Sequence, residues 1–119
     1  MRDHKNLECW KEARAVSLEV LRACRDYWKP TTAPFFTQLQ RASLSVHLNI
    51  AEGNTFGDSK TFTRHLTIAF GSAVETIDLI ELAIESGTIE ATRGQRLLEH
   101  AHASRKLLIG LLKQRRTFQ

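Results

Sequence analysis

Apolar residues recur at intervals of three and four along most of the chain, the spacing of one face of an α-helix. Three short segments interrupt this pattern: KPTTAP, NTFGD and SGT. Prolines do not belong in a helix interior, and glycine commonly follows the last turn of a helix. No alternating β-branched run indicates a strand. The pattern predicts four helices, at about residues 7–27, 34–52, 59–86 and 89–116.

Helices of this length with short connections are typical of an up-down-up-down four-helix bundle. We therefore expect an all-α fold with a single domain over residues 1–119. The predicted inward stripes combine apolar and small residues: Trp10, Ala13, Ser17, Val20, Leu21 and Cys24 in the first helix, Phe35, Leu39, Ala42, Val46 and Ile50 in the second, Phe62, Leu66, Ala69, Phe70, Ala73, Ile77, Ile80 and Ile84 in the third, and Leu97, Ala101, Ser104, Leu108, Leu111 and Leu112 in the fourth.

The helix ends also have sequence signals. Gly53 is predicted to end the second helix as a left-handed cap, and Gly87 to stop the third. Asp58 or Ser59 is expected to accept hydrogen bonds from free amides at the start of the third helix.

The second predicted helix is almost free of charge and apolar on two sides. Leu44 and Leu48 lie roughly opposite its core stripe, where a lone bundle normally carries Lys and Glu. The third helix has further apolar residues off its stripe, including Ile68, Leu79 and Leu82. Chance exposure is one interpretation; aligned apolar stripes on consecutive helices favour a subunit interface. The predicted interface residues are Arg41, Leu44, Leu48, Glu52, Ile68 and Leu79.

Positive charge is concentrated at the C-terminal end of the chain. The formal net charge is +4, and residues 88–119 contain seven Lys or Arg and two acids. Arg105 and Arg115 fall near the core edge of the fourth helix. Lys106 and Lys113 are predicted to project opposite the core stripe, with Arg96 and Arg116 on its flanks, and these four bases are predicted to bind nucleic acid. A solvated basic face with no partner is the alternative interpretation.

No catalytic, metal or cofactor site is predicted. Glu99 and His102 have the Glu-x-x-His spacing of di-iron bundles, but a second such pair is lacking. The stretch GNTFGDSKT lacks the lysine and the preceding strand of a phosphate-binding loop. Cys9 and Cys24, about 22 Å apart on one helix, cannot pair. Asn49 is interpreted as a buried side chain that ties neighbouring groups together, or else as a ligand contact at a subunit junction.

The N-terminal stretch MRDHKNLECW lacks the apolar core of a signal peptide, and no apolar run approaches the length of a membrane span. We therefore expect a cytoplasmic protein without membrane association.

Three segments together resemble a known family: LECWKEA, QLQRASLSVHLNIAEG and FTRHLTIAFGSAVE. They are similar to the four-helix-bundle family of proteins encoded in intervening sequences of bacterial 23S ribosomal RNA genes. The resemblance implies a small, cytosolic, non-enzymatic bundle. Some members assemble as homopentamers with a central channel, and distant relatives in diversity-generating retroelements are basic pentamers that bind nucleic acid and a reverse transcriptase. The chain departs from the family at two places. His47 stands where the family commonly has a proline, and Gln40–Arg41 stands where it often has two consecutive arginines, so one arginine is lost.

These observations favour a non-catalytic homopentamer that acts as a scaffold for nucleic acid, RNA rather than DNA. The alternative is an adaptor that binds another protein and has no affinity for nucleic acid.

Overall fold

Four helices form the protein in the computed structural model, which describes His4 and residues 7–117, and the side chains of all but the last two of these. They are α1 (Glu8–Tyr27), α2 (Ala33–Asn54), α3 (Lys60–Glu85) and α4 (Ala91–Thr117). Each helix contacts the next along the chain, and α4 returns to contact α1. The helices therefore stand at the corners of a square, with α1 diagonal to α3 and α2 diagonal to α4. The predicted all-α, up-down-up-down bundle is confirmed, and no strand occurs in the described ranges.

The core consists of two apolar clusters stacked along the bundle. One lies towards the α1–α2 and α3–α4 connections and includes Val20, Leu39 and Ile80. The other lies towards the α2–α3 connection and includes Ile50 and Leu66. Between the clusters, small side chains from all four helices line a small cavity, among them Ala13, Ser43, Ala73, Thr76, Ala101 and Ser104. Because interaxial distance depends on the side chains at the contact, this layer lets the helices approach closely at mid-length.

The predicted core stripes are mostly confirmed, but α1 is rotated from the expected phase. Leu21, predicted to face inward, is 47% exposed. Val16 and Ala23 occupy the core instead, because the buried arc of α1 runs through Cys9, Ala13, Val16, Val20 and Ala23, and Leu21 lies outside it. In α2, Phe36 rather than Phe35 is fully buried.

Two of the predicted helix ends are confirmed and one is wrong. Ser59 accepts a hydrogen bond from the Phe62 amide at 3.2 Å, and Gly87 has a φ of +74°. Gly53 is not a left-handed cap, because α2 continues through it to Asn54. The left-handed residue of this connection is Gly57, with a φ of +66°.

Gly53 has a packing role instead of a conformational one. A Cβ at this position would lie 2.4 Å from the Cβ of His65, closer than any ordinary contact. Glycine is therefore what allows α2 and α3 to approach each other at this end of the bundle.

Leu39 provides a test of the core assignment, since its side chain is fully buried at the centre of one cluster. We expect Leu39→Ala to lower the free energy of unfolding by about 2–5 kcal/mol, because it removes apolar contacts and leaves a cavity. Chemical denaturation followed by circular dichroism measures this. Leu107→Ala, at an exposed position, is the control and should change stability by less than about 0.5 kcal/mol. Equal effects of the two substitutions would contradict the assignment.

Candidate nucleic-acid and subunit interfaces

The register between α2 and α3 is set by a chain of side-chain hydrogen bonds. Asn49 donates through Nδ2 to the Ser45 carbonyl at 2.8 Å, which leaves its Oδ1 facing His65. His65 Nδ1 lies 2.9 Å from this oxygen, so the ring donates from Nδ1. Ser72 Oγ lies 2.8 Å from Ser45 Oγ. These bonds support the structural interpretation of Asn49.

This register brings two predicted interface residues to the same level. Asn49 stands opposite His65, and Ser45 opposite Ser72, so Leu48 of α2 is level with Ile68 of α3. Their side chains are 53% and 47% exposed. Together they form an apolar strip on the outer side of the α2–α3 pair.

The other predicted interface residues are placed differently. Arg41 and Glu52 are exposed, and Leu44 is half-buried on the side of α2 that borders α1. Leu79 is also half-buried and packs against the core cluster, so its expected position off the core stripe is wrong. The side chain of α3 that does project from this region is Leu82.

The outer side of α4 carries the predicted nucleic-acid-binding bases. Arg96, Lys106 and Lys113 are exposed, and the side chain of Arg116 lies outside the described residues. Lys106 and Lys113 are two helical turns apart, a separation of about 10 Å along the helix. They project from the same side because seven residues nearly complete those two turns.

Arg115 belongs to the fold and not to this basic surface. It is only 9% exposed, and its guanidinium lies over the Phe62 ring at 4.8 Å. It donates to the Thr63 hydroxyl and the Ser59 carbonyl, each at 2.7 Å, and pairs with Asp58. The end of α4 is thereby tied to the start of α3.

Arg93 likewise belongs to the fold and not to the basic surface, because it pairs with Asp26 of α1 at 2.7 Å. The hydrogen bond from Arg93 holds the pKa of Asp26 below its usual range. Arg93 and Arg115 therefore both have acidic partners elsewhere in the bundle.

A stripe on α1 was missed by the sequence reasoning. Leu18 and Leu21 are exposed, with Arg14 and Arg25 at the next helical turns on either side. The spacing 14, 18, 21 and 25 follows one helix face. This regular spacing could have identified the stripe from the sequence, but Leu21 was assigned to the core.

Groups capable of chemistry are few. Burial raises the pKa of the Cys9 thiol to about 11, so a thiolate nucleophile is disfavoured at neutral pH. Among the residues that the structure describes, no three His, Cys, Asp or Glu side chains come together as metal ligands. Nor does any helix in those ranges have the length and apolar character needed to cross a membrane.

These features define a small four-helix-bundle protein with an apolar outer strip on α2 and α3 and a basic outer side on α4. Residues 5–110 match the family model of the 23S rRNA-intervening sequence protein, and the chain belongs to this family. The resemblance of its sequence segments is thereby confirmed.

A solved structure has the same fold. It is the 1.70 Å crystal structure of a protein with unknown function from the S23 ribosomal protein family of Bacteroides thetaiotaomicron VPI-5482. The two chains superpose with a TM-score of 0.80 at 21% identity, over 88% of this chain and 98% of the other. The search of curated proteins found no match.

Gly53→Ala tests the α2–α3 contact. The added methyl group would meet the His65 Cβ and push the two helices apart, so we expect unfolding to become easier by about 1–3 kcal/mol. Gly110→Ala is the matched control, since nothing lies within 4 Å of its added Cβ. Removing a glycine from a helix interior there should stabilise the protein by about 0.5–1 kcal/mol. Thermal and chemical unfolding distinguish the two signs; a stabilising effect at both positions would refute the close contact.

Proposed function

We propose that the protein is a non-catalytic homo-oligomer, a pentamer, that acts as a scaffold for nucleic acid. The observation that carries this proposal is the exposed apolar strip of Leu48 on α2 and Ile68 on α3, since α2 itself contains only one acid and one base. Exposed apolar side chains at one level on neighbouring helices favour burial against another subunit. The number of subunits is inferred from the family resemblance.

Nucleic acid is the proposed partner because α4 directs its bases away from the core. Lys106 and Lys113 project on the outer side, while Arg93 and Arg115 are engaged within the bundle. A ring repeats this basic surface once per subunit, and several weak phosphate contacts made together bind much more tightly than one. The preference for RNA over DNA rests on the family's description.

Binding is expected to tolerate many sequences. The described part of α4 contains no aromatic residue on which a base could stack. Phosphate contacts position a protein on nucleic acid without reading bases. The second candidate function is an adaptor for another protein, which the apolar strip would equally suit.

Light scattering on the purified protein, combined with its 260/280 nm absorbance ratio, tests both parts of the proposal. A pentamer that carries nucleic acid, or that binds added RNA at about 50 mM salt, is the expected result. An oligomer without affinity for RNA or DNA would replace the scaffold by the adaptor, and a monomer would end the proposal of self-assembly.

Leu48→Glu tests the apolar strip. We expect it to weaken self-association at least about tenfold, because a carboxylate would be buried against apolar groups without a partner. Sedimentation velocity over a concentration series measures this, and circular dichroism should show unchanged helix content. Leu107→Glu, on the outer part of α4, is the control and should assemble normally. An intact Leu48→Glu oligomer would remove Leu48 from the interface.

Replacing Lys106, Lys113 and Arg116 together with Gln tests the basic surface. Fewer counterions are released when fewer phosphates are neutralised, so affinity should fall for unrelated sequences alike. The slope of log affinity against log salt should decrease by up to about 3. The control removes the same charge elsewhere, at Lys11, Arg22 and Lys60. If the control loses as much affinity as the α4 variant, binding is not located on α4.

A further inference from the structure

The exposed stripe of α1 forms part of a basic face on the side of the bundle where α1 borders α2. It consists of Arg14, Leu18, Leu21 and Arg25, all of which are exposed. Arg14 of this face lies near His47 of α2. Burial lowers the pKa of His47, and the nearby charge of Arg14 lowers it further. Gln40 of α2 donates to Cys24 Sγ of α1 at 2.8 Å along the same border.

The acids of α1 lie on its opposite side. Glu12 is 2.6 Å from His100 of α4, and Asp26 pairs with Arg93. The remaining two, Glu8 and Glu19, share their stripe and pair with Lys11 and Arg22. From residue 33 to residue 51, α2 contributes no acid. Asp26 also lies 3.3 Å from Arg25, so one carboxylate, shared with Arg93, borders the end of the basic face; the rest of the face consists of bases and leucines.

An acidic face occupies α3. No Lys or Arg occurs between Arg64 and Arg93, and the spacing of Glu75, Asp78, Leu82 and Glu85 follows one helix side. Leu82 at its centre is 54% exposed. Within the described chain, these carboxylates form no ion pair. This side of α3 borders α2, since Gln38 donates to Glu75 at 2.6 Å.

The two faces also match in height along the bundle. The small side chains around the central cavity place Ala13 and Val16 of α1 at the same level as Ala73 and Thr76 of α3. Because α1 and α3 run in the same direction, Arg14 is level with about Glu75, and Arg25 with about Glu85. Leu18 and Leu21 of the basic face are therefore level with Asp78 and Leu82 of the acidic face.

We propose that copies of this chain associate head to tail, the basic face of one copy against the acidic face of the next. The proposal rests on the self-association proposed above and adds two charged faces to the strip of Leu48 and Ile68, which lies on the same α2–α3 side as the acidic face. A contact of like faces would oppose bases to bases or acids to acids, which costs free energy. A contact of unlike faces pairs opposite charges and covers Leu18, Leu21 and Leu82 together.

The positions of the faces favour a closed ring. They lie on adjacent sides of the square bundle and share α2, so each subunit is turned by a constant angle relative to the last. Faces on opposite sides would instead continue into a filament. In such a ring α2 lies towards the centre, and α4, diagonal to it, lies on the outer perimeter with its bases accessible.

Charge reversal tests this arrangement. The basic-face variant is Arg14→Glu with Arg25→Glu, and the acidic-face variant is Asp78→Lys with Glu85→Lys. Each should raise the dissociation constant of assembly at least about tenfold at low salt, because like charges then meet. The chain that carries all four substitutions should assemble again to the wild-type size, since its faces are again opposite in sign. Sedimentation velocity and light scattering give the sizes, and circular dichroism verifies folding.

The outcomes separate this inference from the proposed function. A wild-type oligomer whose assembly survives both reversals, or is not restored by the fourfold variant, overturns the head-to-tail contact while self-association stands. Loss of nucleic-acid binding with intact assembly in the basic-face variant would assign that face to nucleic acid and also overturn it. A monomeric wild-type protein overturns both proposals. Arg25→Gln and Glu85→Gln provide milder variants, each expected to weaken assembly, should a reversal prevent folding.

Discussion

The close approach of α2 and α3 is the constraint on which the arrangement of the surfaces depends. Gly53 gives His65 the space to lie against the α2 backbone, and His65 in turn donates to Asn49. A shift of either helix by one turn, about 5.4 Å, would break both contacts. Because of this register, Leu48 and Ile68 lie at the same height along the bundle. A local packing requirement at one end of α2 thereby determines which side chains meet on the outside of the molecule.

Charge on α1 is divided between two sides of the helix, and this division gives each border of α1 a different character. Towards α4, Glu12 and Asp26 meet His100 and Arg93. Exposed pairs of this kind contribute little to stability, which comes mainly from the two apolar clusters. Because these acids lie towards α4, they leave most of the positive charge on the α2 side of α1 without a neighbouring carboxylate. A chain with a modest net charge of +4 can in this way have one strongly basic side and one acidic side.

The sequence predicted helix number, length and order well, because the three- and fourfold apolar spacing runs through each helix without conflict. It failed where a contact between helices overrides a local signal. Gly53 has the pattern of a helix cap, and only the position of His65 shows that its missing side chain matters for packing. Leu21 has a spacing that fits the predicted core stripe, but the packing of α1 against its neighbours turns the arc of Val16, Val20 and Ala23 inward and leaves Leu21 outside. Arg115 was placed near the core edge by helical phase, whereas its partner Asp58, 57 positions earlier in the chain, could only be found in three dimensions.

The square arrangement separates the proposed assembly surfaces from the proposed nucleic-acid surface. Both assembly faces border α2, and Lys106 and Lys113 lie on α4, which is diagonal to α2. Subunit contact and phosphate contact therefore compete for no side chain. A basic helix on the perimeter of a ring can address a polyanion longer than one subunit, and each added subunit raises the local concentration of positive charge. The ends of α4 are meanwhile held by Arg93 and Arg115, so its outward side is presented on a helix anchored at both ends.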